Sequence, residues 1–258
     1  MRQWSHGWPG LREQGRLWLG TPASQVLQPP RTELSLSTHL PRGLISVSWD
    51  LDGTFADTSV DLARALNKTR LEKDLPALPV PEVARHVGRG ARWLVSNCLD
   101  AGLGETELEA TVGRFLDHYL LGCSETTQAY PGVLEYSRAM RAAGIKQALA
   151  TNKPRRFTER ILEDLNWGPL FDSVHCGDDG LAKPDPEMIH VCMDRLGARP
   201  SQHLHIGDTP TDAAAAQAAG CHFLGVRWGM DQGEGLAAQG YTPLFLDLPG
   251  LAKHLETF

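Results

Sequence analysis

The 258-residue chain has an ordinary globular composition, with 41% hydrophobic and 22% charged residues. Its formal net charge of -6, without a Lys/Arg-rich run, argues against a nucleic-acid-binding surface. No apolar stretch approaches the roughly 20 residues that a membrane span needs. Its five scattered cysteines contain no C-x-x-C pair, which indicates reduced core thiols in a cytoplasmic protein and neither a disulfide framework nor a zinc site.

Residues 1–42 differ from the rest of the chain. They contain three tryptophans, several arginines, few acids and the pair Pro29-Pro30, and they show no sustained helical or strand period. We expect an extension outside the fold that is either disordered or translated from a start upstream of the natural one. A targeting segment is the alternative that the scattered arginines and serines leave open.

A first strand is predicted over residues 43–49, and it ends at the run Asp50-Leu51-Asp52-Gly53-Thr54. Alternate residues of a strand face the same side, and glycine permits the sharp turn that follows. The two carboxylates can therefore point to one place beyond the strand end, where open α/β sheets bind their ligands. Taken alone, the pattern also fits a simple turn or a fragment of a calcium loop.

Residues 61–128 carry apolar side chains at spacings of three and four, which predicts amphipathic helices that pack on one another. Beyond residue 130 the pattern alternates between strand and helix, which predicts a parallel sheet covered by helices. The predicted strands are 146–150, 173–176, 203–206, 222–226 and 244–246, and the predicted helices are 133–143, 156–165, 187–196 and an alanine-rich helix ending at Gly220.

The predicted fold class is therefore α/β, a Rossmann-like parallel sheet core with an inserted helical cap domain. The core is expected to comprise residues 43–60 and 129–258, and the cap residues 61–128. This arrangement would place the cap between the first two strands of the core.

Polar residues follow the predicted strands at four separate places. These residues are Asp50 with Asp52, Thr151 with Asn152, Lys183, and Asp208 with Asp212. Each group alone fits a turn, a helix cap or a solvated first-turn charge. In a parallel sheet, however, the strand ends share one edge, so residues more than a hundred positions apart can converge there.

In their order and spacing, these motifs resemble the haloacid dehalogenase superfamily of phosphohydrolases. The matching runs are Asp50-Leu51-Asp52-Gly53-Thr54, Thr151-Asn152-Lys153, Lys183-Pro184 and Gly207-Asp208-Thr209-Pro210-Thr211-Asp212. The resemblance extends from about Leu44 to the C-terminus. Trp49 and Phe55 depart from the commoner Phe and Leu, but neither is a reacting group.

The resemblance implies a phosphatase in which Asp50 attacks phosphorus and forms an aspartyl-phosphate. Asp52 is expected to protonate the leaving oxygen and then to activate water. Mg²⁺ is expected on the Asp50 carboxylate, the Asp52 backbone carbonyl and Asp208.

The remaining candidates are expected to bind the phosphoryl group or to support the site. The phosphoryl-binding residues are expected to be Thr151, Asn152 and Lys183, and the supporting residues Thr54 and Asp212. Preorganised donors of this kind stabilise the charge of a transferring phosphoryl group.

The substrate is expected to be chosen by the cap. The run Val87-Gly88-Arg89-Gly90-Ala91 looks like the V-G-x-G-A cap loop of phosphoglycolate phosphatases, with Arg89 at the variable position. Arg89 or Arg92 could bind the carboxylate of a small acid such as 2-phosphoglycolate. The alternative is an arginine that faces solvent at a helix start. The expected partner is a small phosphorylated metabolite, with the protein a monomer or homodimer.

Other functions stay open at this point. A phosphatase for a sugar phosphate, including N-acetylmuramate 6-phosphate, keeps the same motifs, and so does a sugar-phosphate mutase. Asp52 disfavours a dehalogenase proper and a phosphonatase, because neither reaction uses this acid/base. An inactive binding protein of the same fold is the alternative from a different functional class.

Overall fold

A parallel six-stranded sheet lies at the centre of the computed structural model, which describes residues 43–99 and 102–256. The predicted extension 1–42 lies outside the described residues. The strands are β1 (Ser46–Trp49), β2 (Ala56–Asp57), β3 (Gln128–Ala129), β4 (Lys146–Ala150), β5 (Ser173–His175), β6 (His203–Gly207), β7 (His222–Val226) and β8 (Leu244–Phe245). The order in the main sheet is β5-β4-β1-β6-β7-β8, with every pair parallel, as predicted.

Ten α-helices accompany these strands in the described ranges. They are α1 (Ser59–Leu71), α2 (Val80–Ala84), α3 (Ala91–Cys98), α4 (Glu105–Leu120), α5 (Val133–Ala142), α6 (Arg155–Asp164), α7 (Glu187–Leu196), α8 (Pro210–Ala219), α9 (Glu234–Ala238) and α10 (Leu248–Leu255). Helices α1 to α4 lie between β2 and β3 and pack on one another, so we call residues 59–127 the helical insertion. The α/β fold with inserted helices was therefore predicted correctly.

The two faces of the sheet are covered by different groups of helices. On β4, Leu149 belongs to the large hydrophobic core, whereas Ala148 and Ala150 pack in a smaller cluster with residues of α7 and α8. This division follows the strand period of two, which sends successive side chains to opposite faces. Among the described helices, none is both long and apolar enough to cross a lipid bilayer.

The two chain segments that join the helical insertion to the core are paired with each other. Ala56 lies opposite Ala129 in the short antiparallel pair β2 and β3. Nearby, the Asp61 carboxylate accepts hydrogen bonds from the backbone amides of Thr126 and Thr127 at 2.9 to 3.1 Å. These contacts fix both ends of the insertion at the carboxyl edge of the sheet.

The central strand β1 is fully buried, yet it carries two serines. Ser46 and Ser48 hydrogen-bond to the His203 ring on β6, at 2.7 and 2.8 Å, and Ser48 also lies 2.8 Å from His205 Nδ1. These bonds satisfy polar groups that would otherwise be costly to bury. Burial lowers the pKa of both histidines, that of His203 to about 3, so both rings are neutral near pH 7.

Candidate active site

Three neighbouring strands end in the polar residues that the sequence singled out. Asp50 follows β1, Thr151 follows β4 and Asp208 follows β6, and all three are buried. Because β1 lies between β4 and β6 in a parallel sheet, these strand ends meet at one edge. The structure therefore brings these residues together as the topology requires.

Lys183 connects two of the carboxylates at this edge. Its ammonium Nζ donates to Asp50 Oδ1 at 2.8 Å, to Asp212 Oδ1 at 2.5 Å and to the Ala150 carbonyl at 2.7 Å. An ammonium has three N–H donors, so these contacts use all of them. Burial opposes the charged form of Lys183, but Asp212 and Asp50 favour it more and raise its pKa.

A third carboxylate, that of Asp208, lies close to Asp50 and Asp212. One oxygen each from Asp50, Asp208 and Asp212 lies within 4.8 Å of the others. Burial raises the pKa of Asp208 well above its usual range, and the other two carboxylates raise it further. Burial also raises the pKa of Asp50, against the lowering effect of Lys183. The three carboxylates can therefore all be ionised only if a further positive charge joins that of Lys183.

This excess of carboxylate oxygen fits a hard divalent cation. Such ions prefer oxygen ligands and favour the ionised form of the carboxylates that bind them. Asp208 is also held in a fixed position, because Thr54 Oγ1 donates to its Oδ1 at 3.2 Å and the Met230 amide to its Oδ2 at 3.0 Å. The donor set is therefore suitable for a metal, without identifying which one.

Gly53 allows the backbone to approach Asp208 closely. Its φ of +89° lies in the left-handed region, and a Cβ atom there would overlap the Asp208 carboxylate. Glycine at this position is therefore required both by the turn after β1 and by the space that Asp208 occupies.

Asp52 is paired with a second buried lysine. Lys153 Nζ donates to Asp52 Oδ1 at 2.7 Å and to Oδ2 at 2.9 Å, and Thr58 Oγ1 donates to Oδ1 at 2.6 Å. The same ammonium lies 4.8 Å from the ring centroid of Tyr119 on α4. The two carboxylates of the first motif thus have separate cations, Lys183 for Asp50 and Lys153 for Asp52.

The Asn152 side chain is engaged by the backbone of two other segments. Its Nδ2 donates to the Gly88 carbonyl at 3.1 Å and to the Lys183 carbonyl at 2.8 Å, and its Oδ1 accepts from the Lys183 amide at 2.8 Å. These bonds link the loop before α3 to the loop that carries Lys183. A contact between Asn152 and a phosphoryl oxygen stays a prediction.

A cavity of about 50 Å³ opens beside Asp50 and Asp52. Its other polar side chains are Tyr119, Thr151, Asn152 and Lys153. Most of its wall is apolar and comes from the helical insertion together with α6, namely Leu62, Val87, Ala91, Leu94, Phe115, Leu116 and Phe157. The insertion therefore closes over the carboxyl edge and forms much of the surface that a ligand would contact.

Comparison with known proteins places this architecture in a family. A sequence model described as haloacid dehalogenase-like hydrolase matches residues 47–226, which is more than half of the chain. The chain belongs to the haloacid dehalogenase-like hydrolase family.

Several relatives of this hydrolase carry a more specific name. A phosphoglycolate phosphatase of Rhodospirillum rubrum is 38% identical over 220 residues, covering 81% of this chain and 90% of that protein. One from Pseudomonas putida is 35% identical, covering 80% and 77%. A crystal structure from Haemophilus somnus, titled a predicted phosphoglycolate phosphatase, has a TM-score of 0.76 at 27% identity and covers 82% and 98%.

The two candidate arginines of the hydrolase, Arg89 and Arg92, are exposed and do not line the cavity. The Arg89 side chain is exposed and its guanidinium lies 4.8 Å from the centroid of the Trp93 ring, outside the residues that line the cavity. Arg92 is also exposed and pairs with Glu105 at 2.7 Å and with Glu109. A contact of Arg89 with substrate stays a prediction.

Sequence reasoning assigned no role at the site to three residues that lie there in the hydrolase. Lys153 belonged to a quoted motif, but its pairing with Asp52 was not foreseen. Thr58, which binds the same carboxylate, offered no separate signal. His205 lies 3.4 Å from Asp212 Oδ1. The signal that could have predicted these buried polar contacts was the alternation of His203 and His205 on a strand that pairs with Ser46 and Ser48.

Proposed function

We propose that this chain is a phosphomonoester hydrolase that requires a divalent metal ion and forms an aspartyl-phosphate on Asp50. The observation that carries the proposal is the meeting of Asp50, Lys183, Asp208 and Asp212 at one sheet edge, with Asp52 beside the same cavity. Phosphoryl transfer needs a nucleophile, cations against the phosphoryl oxygens and a proton for the leaving group. This cluster supplies residue types for each need.

In the first step, a carboxylate oxygen of Asp50 attacks phosphorus and the bond to the ester oxygen breaks. Protonated Asp52 gives its proton to that oxygen, which leaves as an alcohol. Lys183 Nζ, 2.8 Å from Asp50 Oδ1, holds the nucleophile in position. Thr151 lines the same cavity, and its hydroxyl would donate to the phosphoryl group.

In the second step, the Asp52 carboxylate takes a proton from water, and the water oxygen attacks the phosphoryl group on Asp50. Inorganic phosphate leaves, and both aspartates return to their starting states. Asp50, Asp208 and the backbone carbonyl of Asp52 would hold Mg²⁺, with Asp212 and Thr54 in support. When bound, the ion supplies positive charge against the phosphoryl oxygens.

For the substrate we propose 2-phosphoglycolate, which would give glycolate and phosphate. The curated relatives named phosphoglycolate phosphatase support this choice. The helices over residues 61–128 would act as a cap that excludes water. A cytoplasmic location and a monomeric or dimeric state stay predictions.

The test is phosphate release from a panel that contains 2-phosphoglycolate, p-nitrophenyl phosphate, a hexose 6-phosphate and N-acetylmuramate 6-phosphate. We expect hydrolysis with Mg²⁺, none with EDTA, and the highest kcat/KM for 2-phosphoglycolate. No phosphate release from any compound with Mg²⁺ present would refute the phosphatase function. A higher kcat/KM for a sugar phosphate would refute only the substrate, and an isomerised sugar product would indicate a mutase.

A further inference from the structure

Lys153 is a buried lysine that contacts Asp52, the proposed general acid, and also lines the cavity. Its side chain is 3% exposed, and its Nζ is 2.7 and 2.9 Å from the two oxygens of Asp52. It also lines the cavity, and among the described residues that do so it alone carries a positive charge. The cavity thus has one cation and walls that are mostly apolar.

An acidic substrate would need this cation. The walls around it include Leu94, Phe115 and Phe157, and a carboxylate placed against such surfaces without a partner is strongly disfavoured. Lys153 offsets this cost with its positive charge, which lies at the cavity wall: its Nζ donates to both oxygens of Asp52 and lies 4.8 Å from the centroid of the Tyr119 ring.

The other cations near the insertion are engaged elsewhere. Lys183 has three acceptors on the protein. Arg92 is bound by Glu105 and Glu109, and Arg89 is exposed over Trp93. Neither arginine lines the cavity. Within the described part of the chain, Lys153 is therefore the cation best placed to meet an anionic group next to the scissile ester.

We propose that Lys153 is the specificity residue of this site, with an ammonium that binds the carboxylate of a small phosphorylated acid while it holds Asp52 in place. The proposal rests on the phosphatase function proposed above and deepens it. It assigns recognition of the acid to the core motif Thr151-Asn152-Lys153, in place of Arg89 on the insertion. Phosphoesters of similar size without a carboxylate would then be poorer substrates.

The test compares 2-phosphoglycolate with 2-hydroxyethyl phosphate, which replaces the carboxylate by a hydroxymethyl group of similar size. We expect wild-type protein to prefer the acid by about 10- to 100-fold in kcat/KM, the usual value of a hydrogen bond between charged groups. Lys153→Met should lower kcat for both substrates, because Asp52 loses its partner. It should also abolish most of the preference, which the loss of Asp52 positioning alone would not change.

Three further variants complete the experiment. Lys153→Arg keeps the charge and should retain most of the preference, which also tests the proposal if Lys153→Met does not fold. Lys253→Met, an exposed site on α10, is the matched control and should change neither rate. Arg89→Met tests whether Arg89, and not Lys153, recognises the substrate carboxylate.

The outcomes separate this proposal from the phosphatase function. An equal loss for both substrates in Lys153→Met, with the preference intact, would overturn the proposal, since Lys153 would then act only on Asp52. A wild-type protein that hydrolyses both compounds without preference would overturn it too, while leaving the phosphatase function in place. Loss of the preference in Arg89→Met, and not in Lys153→Met, would assign specificity to the insertion. Absence of hydrolysis of any phosphoester by wild-type protein would refute the phosphatase function itself.

Discussion

Lys183 and Asp212 form a buried ion pair, with Nζ 2.5 Å from Oδ1, and the same ammonium holds Asp50 at 2.8 Å. Lys183 and Asp212 are each 2% exposed at the side chain. Asp212 is itself fixed at the start of α8, where the Thr209 amide donates to its Oδ2 at 3.0 Å. The orientation of Asp50 therefore depends on a helix start more than 150 residues further along the chain.

Replacement of Lys183 by methionine should impair both catalysis and stability. Loss of a preorganised donor from such a site costs about 100- to 1,000-fold in kcat. Removal of one partner of a buried ion pair lowers the free energy of unfolding by about 3–5 kcal/mol. The measurements are kcat for p-nitrophenyl phosphate and urea unfolding without metal. A variant with near wild-type kcat would show that Lys183 has no part in the reaction.

Metal binding should stabilise the protein more at high pH than at low pH. Burial raises the pKa of Asp50 to about 7, with Asp212 adding to the effect and Lys183 opposing it. In the unfolded chain the pKa of an aspartate is about 3.9, so between about pH 4 and pH 7 the metal-free folded state holds a proton that the unfolded chain has lost. The stability of the metal-free protein therefore falls as pH rises from about 4 through about 7. A divalent ion favours the ionised carboxylates and reverses this loss.

The corresponding measurement is Tm with and without Mg²⁺ at two pH values. At about pH 8, free metal at 100 times its Kd should add about 2.7 kcal/mol of stability, whereas at about pH 5 the proton competes and the same concentration should add much less. A Tm increase that is larger at the lower pH would contradict the assignment of the site to Asp50 and its neighbours.

Two glycines with similar backbone conformations allow backbone strain to be distinguished from an effect on the candidate active site. Gly53 has φ +89° and lies against Asp208, while Gly144, at the end of α5, has φ +84° with no atom within 4 Å of a built Cβ. Alanine at either position should cost about 1–2 kcal/mol of stability through backbone strain. Only Gly53→Ala should also weaken metal binding and lower kcat, because its Cβ displaces the Asp208 carboxylate. Equal activities of the two variants, measured at saturating Mg²⁺, would count against the role of Asp208.

Asn152 should control the loop before α3. Asn152→Ala removes the donor to the Gly88 carbonyl, so we expect faster amide hydrogen exchange across residues 87–90 and about a tenfold loss of kcat/KM. Asn97→Ala is the matched control, since Asn97 is exposed on α3 and bonds only within its own helix. Unchanged exchange with a loss of activity would instead indicate that Asn152 contacts the phosphoryl group directly.

The sheet and the meeting of the strand-end residues could be predicted from the sequence, because both depend on regular patterns. Helical spacing of apolar residues located the insertion, and polar residues at successive strand ends located Asp50, Thr151 and Asp208. Parallel pairing then required those ends to meet. The two-residue strands β2 and β3 were not predicted, since segments so short have no detectable period.

The contacts of individual side chains could not be predicted in the same way. Lys153 and Asp52 are 101 positions apart, and nothing in their local sequence distinguishes a buried pair from a solvated lysine. Asn152 was itself predicted to bind the phosphoryl group, yet its side-chain amide donates to the backbone of two other segments. Such details depend on loop conformations that arise only once the core and the insertion pack together.

The central claim is that Asp50 is the nucleophile, and the rate of Asp50→Asn tests it most directly. The amide has nearly the same size as the carboxylate but is a much poorer nucleophile, so the fold should persist while catalysis fails. With Mg²⁺ and p-nitrophenyl phosphate, we predict a fall in kcat of at least about 1,000-fold, as for other residues that form covalent intermediates. Turnover by Asp50→Asn at a rate close to that of the wild-type protein would contradict the account.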